Sequence, residues 1–593
     1  MKRYTKEKIK EILDRHSTVC VAFGEKEREL ALNNPSLEIF KRGLDTILNE
    51  LSVIPTPAVT FADFRRFEED GNRKVYEDLY FQKRQKLLAY AVAYWLYKDK
   101  KILTLLEDVI FAILDEYTWA LPAHLSNRGL SVIQCEDTFC VDLFAAETAD
   151  ALAETVSLLA DDLHPLIKAR IHREIERRVL SRAFANDGEF FWHHCTNNWS
   201  SVCSSSVGMT AIYEVKDTER LAYFIEKALL KLENFYRGFS LDGVCLEGLG
   251  YWDYGVGYFM YFADMLYRRT EGEINLFDDS HVKNFVCFYT KMFFKGIRTV
   301  SFSDGSTSGR CSPSAVSIIK KYYPEYTLPG AQYIGFGYSG RGCARFARTV
   351  RDVVYTLYEL KSSTADVVGT YVLKDAQWII SSSETGVGFA AKAGNNDEPH
   401  NHNDVGSFLI YKNGEQMIAD IGSGLYTKQY FEAGRYEIFC NSSASHSVPI
   451  INGEYQTAGA EYKAKDVTVS ERGLSADISG AYATDGLTAL VRTLDFDKYT
   501  GIIKLEDKFT FSGVPASIKE RFISPKKPEI LADRVEITNG KEKIAIYYDN
   551  NLFTPTFELV IDKDHADKDR ETYVIDFTLN TPKEELEAVF EIK

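Results

Sequence analysis

The sequence contains no apolar run long enough to cross a bilayer. Its first twenty residues carry charge throughout, with Lys2, Arg3, Lys6, Lys8, Lys10 and Glu11, and no apolar stretch follows. A secretory signal is therefore not expected, and the protein is expected in the cytoplasm. Ten cysteines are scattered without a Cys-x-x-Cys pair, which reads as reduced, mostly buried thiols. There is no low-complexity tract and no short-period repeat. Positive charge is in deficit: 70 Lys and Arg against 86 Asp and Glu give a net charge of −16. A field of that sign opposes nucleic acid and anionic membrane as partners, while a local basic pocket still permits an acidic ligand.

What is present is size and pattern. With 593 residues, 45% of them hydrophobic, two or more domains with separate cores are expected. Aromatics make up 13%, a composition that suits sugar-binding clefts as well as cores. Apolar residues recur three and four apart over 37–51, 83–96, 101–117, 142–159, 164–184, 217–236, 251–269 and 280–294. Amphipathic helices in series without intervening strands predict an all-α domain over 1–340. After about Gly342 the period becomes two. Asp352–Tyr358, Val367–Leu373, Gln377–Ser381, Gly386–Ala391, Ser407–Tyr411, Val467–Ser470, Ile502–Phe511, Ile544–Tyr548 and Thr572–Phe577 read as strands. They predict an antiparallel β-sandwich over 341–593, with a cleft where the two parts meet.

The most informative segment runs from His400 to Asp420. It holds His-Asn-His-Asn-Asp, an alternating run, the turn Asn413-Gly414 and a second run ending on a carboxylate. On a strand, residues two apart share a face, so His400 and His402 are expected to project together. The Asn-Gly turn predicts a hairpin that returns Asp420 to the level of His402. His446 lies downstream in Ser-Ser-Ala-Ser-His. Two imidazoles and a carboxylate around one point suit zinc with a fourth position open, and His402, Asp420 and His446 are the candidate ligands. The other histidine, His400, is then available for proton transfer.

Three helical-half segments add to this. His193-His194-Cys-Thr-Asn197-Asn198-Trp199 precedes a small-residue run, and either asparagine could be a helix N-cap. Cys245-Leu-Glu247-Gly248-Leu-Gly-Tyr251-Trp-Asp253-Tyr254 starts a helix on which Tyr251, Tyr254 and Tyr258 share a face. Its glycines suggest close backbone approach. Asn127-Arg128 lies before Asp142; a solvated loop arginine competes with a carboxylate-binding one. The His-x-His-x-Asp string also occurs in metallo-β-lactamases and amidohydrolases, but Val405 follows Asp404 and no β/α alternation surrounds the string.

Taken together, Asn-Asn-Trp, Glu-Gly-x-x-Tyr, His-x-His-x-Asp with its hairpin, and Ser-Ser-x-x-His resemble the heparinase II/III-like polysaccharide lyases. The likeness spans roughly Asp142 to Gly453. It implies an incomplete (α/α) toroid followed by an antiparallel β-sandwich. It also implies β-elimination on uronic-acid-containing glycans of glycosaminoglycan or alginate type. By that resemblance Asn198 neutralises the uronate carboxylate, Tyr251 (with Tyr254 in reserve) and His400 move protons, and His402, Asp420 and His446 hold a structural zinc. Some relatives carry a histidine after the asparagine where this chain has Trp199, so His400 alone, or His193 or His194, takes that work. Asn197, Trp199, Arg128, Glu247 and Arg435 are the candidate substrate contacts. The expected partner is an acidic oligosaccharide, with a homodimer left open. Two other readings are a glycoside hydrolase using Glu247 with Asp253 or Asp304, and a non-catalytic glycan-binding protein.

Overall fold

The computed structural model describes residues 2–125, 140–159, 161–186, 190–326, 330, 333–338, 340, 342–356, 369–427 and 429–593. Helices fill the first of two parts. Those used below are α1 (Leu143–Leu159), α2 (Asn198–Glu214), α3 (Thr218–Arg237), α4 (Leu249–Arg269) and α5 (Phe346–Tyr355). Helix α2 is the hub, packed on α1, α3 and α4. Its sequence Ser-Ser-Val-Cys-Ser-Ser-Ser-Val-Gly is small on every side, and nearly all of it is buried. Close packing follows: a Cβ on Gly208 would lie 2.5 Å from the Phe262 ring of α4, so the helices approach only because that position has no side chain. Among the described residues no helix is long and apolar enough to cross a membrane.

The second part is antiparallel throughout its sheets. Strands β1 (Thr370–Leu373), β2 (Trp378–Ser382), β3 (Val387–Lys392), β4 (Phe408–Lys412) and β5 (Glu415–Ile418) lie side by side in that order. Its central strands β2, β3 and β4 are buried on both faces, which is why they are largely apolar runs. Trp378, Ile380, Ala390, Leu409 and Tyr411 pack into the helical core. Their neighbours Ile379, Phe389, Ala391, Phe408 and Ile410 pack the other way, into the β core. That second core is shared with an eight-stranded sheet and a four-stranded sheet built from Ile450 onward. The period of two therefore sorts one strand into two cores, and it fixes the helical part against the sheets.

Two expectations are corrected. Asp352–Tyr355 is helical, not extended, as the last turn of α5. Phe346, Ala347, Val350, Val353 and Val354 repeat at helical spacing and are buried; packing of that stripe overrides the β-branched Val-Val pair. Among the described residues the last α-helix thus lies beyond residue 340, and the first strand begins at Thr370. His400 and His402 stand on a loop between Asn395–Asn396 and β4, not on a strand. The expected Asn413-Gly414 hairpin is present between β4 and β5, with positive φ of 50° and 88° at its two turn residues.

Candidate active site

The loop bearing the histidines is closed at its base by the backbone. Lys392 N donates to Ser407 O at 3.1 Å, and Gly406 N to Lys392 O at 3.0 Å. The buried Lys392 ammonium then pairs with Asp404 at 2.8 Å and Glu398 at 3.2 Å. Asp404, the last member of His-x-His-x-Asp, is thus a counter-ion that holds the loop shut. His400 sits at its bend with φ +56°, a left-handed conformation that costs a non-glycine residue about 1 kcal/mol.

Both histidines point at Asp304. His400 Nδ1 is 2.6 Å from Oδ2, and His402 Nε2 is 3.1 Å from Oδ1. Tyr426 donates to Oδ2 at 2.9 Å, and Tyr430 donates to Oδ1. Burial would raise the Asp304 pKa, but its hydrogen bonds to His400 and His402 hold it well below the ordinary carboxylate range. An ionised carboxylate only accepts. His400 therefore carries its proton on Nδ1 and leaves Nε2 bare, while His402 carries its proton on Nε2 and leaves Nδ1 bare.

His402 Nδ1 faces Asp420 and His446. One ligand atom from each of these three fully buried residues lies within 4.8 Å of the others. His446 Nε2 is 3.2 Å from the Cys440 carbonyl, so its Nδ1 is the bare nitrogen, 3.4 Å from Asp420 Oδ2. His402 Nδ1, His446 Nδ1 and Asp420 Oδ2 have no hydrogen-bond partner. Three buried lone pairs turned on one point, without a donor among them, fit a cation. Burial opposes the charged forms of both His446 and Asp420, yet each draws the other toward the charged state; a ligand imidazole gives up that proton when a metal binds.

The helical part supplies the opposite wall. Asn198 is the first residue of α2, and Tyr251 lies in the first turn of α4. Adjacent helices therefore present both residues at the same end. Gly248 permits this: with φ +92°, its missing Cβ would lie 2.8 Å from Gly305 Cα, next to Asp304. Asn198, Tyr251, Glu247 and Thr196 line one cavity together with Pro399, the residue before His400. Among the described residues the Asn198 side-chain amide has no hydrogen-bond partner. The His400 ring lies on the Tyr251 ring, with centroids 4.0 Å apart. The Tyr251 and Tyr426 hydroxyls are 2.7 Å apart. Glu247 is buried with Oε2 unpaired; burial raises its pKa, partly offset by His400 and by the Asn198 backbone N–H.

Most of the other sequence-predicted residues lie apart from this point, but the Arg435 guanidinium is 3.6 Å from Asp304 Oδ2. Tyr254 does not join Tyr251: its hydroxyl and that of Tyr258 go to Glu147, with the Arg345 guanidinium 3.6 Å over the Tyr254 ring. Asn197 is the N-cap of α2, accepting from Trp199 N at 3.1 Å. Trp199 packs edge-on against His124 and Phe191. Arg435 donates to the Asn401 and Tyr430 carbonyls at 2.9–3.1 Å, so it fastens the histidine loop. His193 is buried and bonded to the Ala183 carbonyl, whereas His194 is exposed. Arg128 lies outside the described residues. Asp253 pairs with Arg348, and both Asp304 oxygens are occupied. Neither is a free carboxyl of the kind a hydrolase pair needs. Sequence reasoning missed Asp304 as the common acceptor, and with it Tyr426 and Tyr430; no local spacing marks them.

No protein-family model and no curated protein matches the sequence. Solved structures do. The heparan sulfate lyase HepC mutant from Pedobacter heparinus superposes with a TM-score of 0.63 at 13% identity, covering 99% of this chain and 88% of that one. The chain has the fold of heparinase III. A heparinase III crystal structure gives 0.62 at 12% identity over 95% of this chain and 92% of that one. The chondroitin AC lyase of Streptomyces coelicolor, as a mutant, gives 0.51 at 11% identity over 98% and 82%. The helical part followed by antiparallel sheets is the architecture common to these polysaccharide lyases.

Proposed function

We propose that this protein cleaves uronic-acid-containing glycans by β-elimination. The observation that carries this reading is one cavity lined by Asn198, Tyr251 and Pro399, from both parts of the chain, with the His400 ring stacked on that of Tyr251. The fold shared with heparan sulfate and chondroitin lyases supports it. A uronate C5 proton is weakly acidic because the neighbouring carboxylate already bears charge. Asn198 donates to that carboxylate, so that charge developing on it as an enolate is stabilised. Glu247, kept toward its neutral form by burial, adds a second donor beside the amide. Tyr251 and His400 Nε2 exchange the C5 proton and the proton of the departing O4. The C4–O4 bond breaks without water, leaving a C4–C5 double bond.

His402, Asp420 and His446 would hold a zinc ion through Nδ1, a carboxylate oxygen and Nδ1. When bound, zinc supplies the positive charge that their three lone pairs lack and ties the His400 loop to the segment around His446. Asp304 does the orienting: the carboxylate that sets the His402 tautomer also sets that of His400.

Incubation with heparosan, hyaluronan, chondroitin and alginate oligomers tests the reading. An ultraviolet band from an unsaturated uronate is expected with at least one of them. No absorbance with any would count against β-elimination, and new reducing ends without absorbance would favour a hydrolase.

A further inference from the structure

A second cavity, of about 260 Å³, opens where three pieces of chain meet. Arg298 comes from the end of the helical part, and Glu415 and Gln416 come from β5. Lys526 follows the strand Ile518–Ser524, and Asn539 ends the strand Arg534–Asn539. The cavity shares no lining residue with that of Asn198 and Tyr251.

Its cations are not neutralised. Arg298 Nε donates to the Gly414 carbonyl at 2.6 Å, which holds the guanidinium in place. An Arg298 Nη stands 4.0 Å from a Glu415 carboxylate oxygen, beyond hydrogen-bond distance. Among the described residues the Lys526 ammonium has no partner. In a chain of net charge −16, two cations beside one carboxylate reverse the overall field locally. The acceptors are also unused. Asn539 Nδ2 donates to the Gln416 carbonyl at 2.9 Å, and Gln416 Nε2 donates to the Asp420 carbonyl at 3.4 Å. Both amide oxygens, like the Glu415 carboxylate, are left without a hydrogen-bond donor among the described residues.

Such a lining selects among ligands. An inorganic anion only accepts, so it suits the two cations and opposes the three acceptors. A neutral sugar brings hydroxyl donors but no charge for Arg298 and Lys526. A hydroxylated acid brings both. The volume lies just below the range of about 300–1,000 Å³ of pockets for drug-sized ligands, so one sugar ring fits better than several. We propose that this cavity binds one uronate residue of a glycan, with its carboxylate between Arg298 and Lys526 and its hydroxyls donating to Glu415, Gln416 and Asn539. The choice of a uronate rests on the β-elimination reading above; the pocket itself stands apart from the bond-breaking groups.

Saturation-transfer NMR on the full chain, with glucuronate, glucose and inorganic sulfate as probes, tests this. The variants are made in Asn198→Ala, which takes the donor from the cleavage cavity. Lys526→Glu is the main one, since that side chain is exposed and its reversal leaves the fold alone. Arg298→Ala is the second, and thermal unfolding checks both. Glucuronate should bind Asn198→Ala, and bind about tenfold or more weakly once Lys526→Glu or Arg298→Ala is added. Glucose and sulfate should bind more weakly than glucuronate. No glucuronate binding, binding that Lys526→Glu leaves intact, or sulfate bound as tightly as glucuronate would overturn the site while leaving β-elimination standing. A wild type that yields no unsaturated product from any uronate glycan, yet binds glucuronate in a way that Lys526→Glu weakens, would remove the β-elimination reading and leave this site.

Discussion

The imidazole of His400 lies flat against the phenol ring of Tyr251, centroids 4.0 Å apart and planes 30° from parallel. One ring comes from a loop of the β part and the other from a helix of the α part. Neither part alone contains the site, so whatever holds the parts in register also sets the chemistry. That is the five-stranded sheet, with Trp378 and Leu409 in one core and Phe389 and Phe408 in the other.

Tyr251→Phe should retain the fold and substrate affinity but lower kcat by about 100-fold or more, the usual share of a proton-transfer group. Tyr254→Phe should act otherwise. Its hydroxyl serves Glu147 in an ion-paired cluster with Arg345, so its effect should appear as lost stability rather than a selective loss of kcat. Steady-state kinetics and thermal unfolding of the two variants check this.

Asn198→Asp should be more damaging than Asn198→Ala. It replaces a donor aimed at a carboxylate by a second negative charge, and loss of one such donor alone costs about 100- to 1,000-fold in kcat. Equal activity in the two variants would contradict the assignment.

Metal analysis should find about one zinc per chain, as a site of two imidazoles and a carboxylate implies. His402→Ala should lose it and unfold at lower temperature. A chelator should lower the unfolding temperature of the wild type to about that of the variant. Zinc retained in His402→Ala would defeat the ligand set.

How far the sequence shows these features depends on how local they are. His402, Asp420 and His446 cluster as the sequence suggested, with the Asn-Gly turn returning Asp420, although the histidine spacing lies on a loop rather than a strand and His446 comes from a later segment. Gly248 was legible as a close approach, because glycine at a helix start has few other uses. Asp304 was not. Its partners His400, His402, Tyr426 and Tyr430 lie 96 to 126 residues away, and nothing in Phe-Ser-Asp-Gly foretells them. Tyr426 and Tyr430 stand in irregular chain where periodicity carries no information. Asp352–Tyr355 was misread because a Val-Val-Tyr string outweighed the helical spacing of the residues before it.

Glu247 gives a pH test with a definite sign. Its folded pKa is raised, chiefly by burial, so the native state binds its proton more tightly than the unfolded chain does. Stability then falls as pH rises from the ordinary glutamate range through the raised value. Glu247→Gln mimics the neutral form. The variant should match the wild type at low pH and become progressively more stable than it as pH rises through that window. Unfolding midpoints of the two proteins across pH measure this, and a gap that closes with rising pH would contradict the burial account.

The most direct test of the site as a whole is a crystal structure of Tyr251→Phe with a uronate oligosaccharide that the wild type cleaves. The sugar carboxylate should lie within hydrogen-bond distance of Asn198, with C5 and the glycosidic O4 each within reach of residue 251 or of His400 Nε2. A uronate seated elsewhere, or one whose carboxylate faces away from Asn198, would contradict the account.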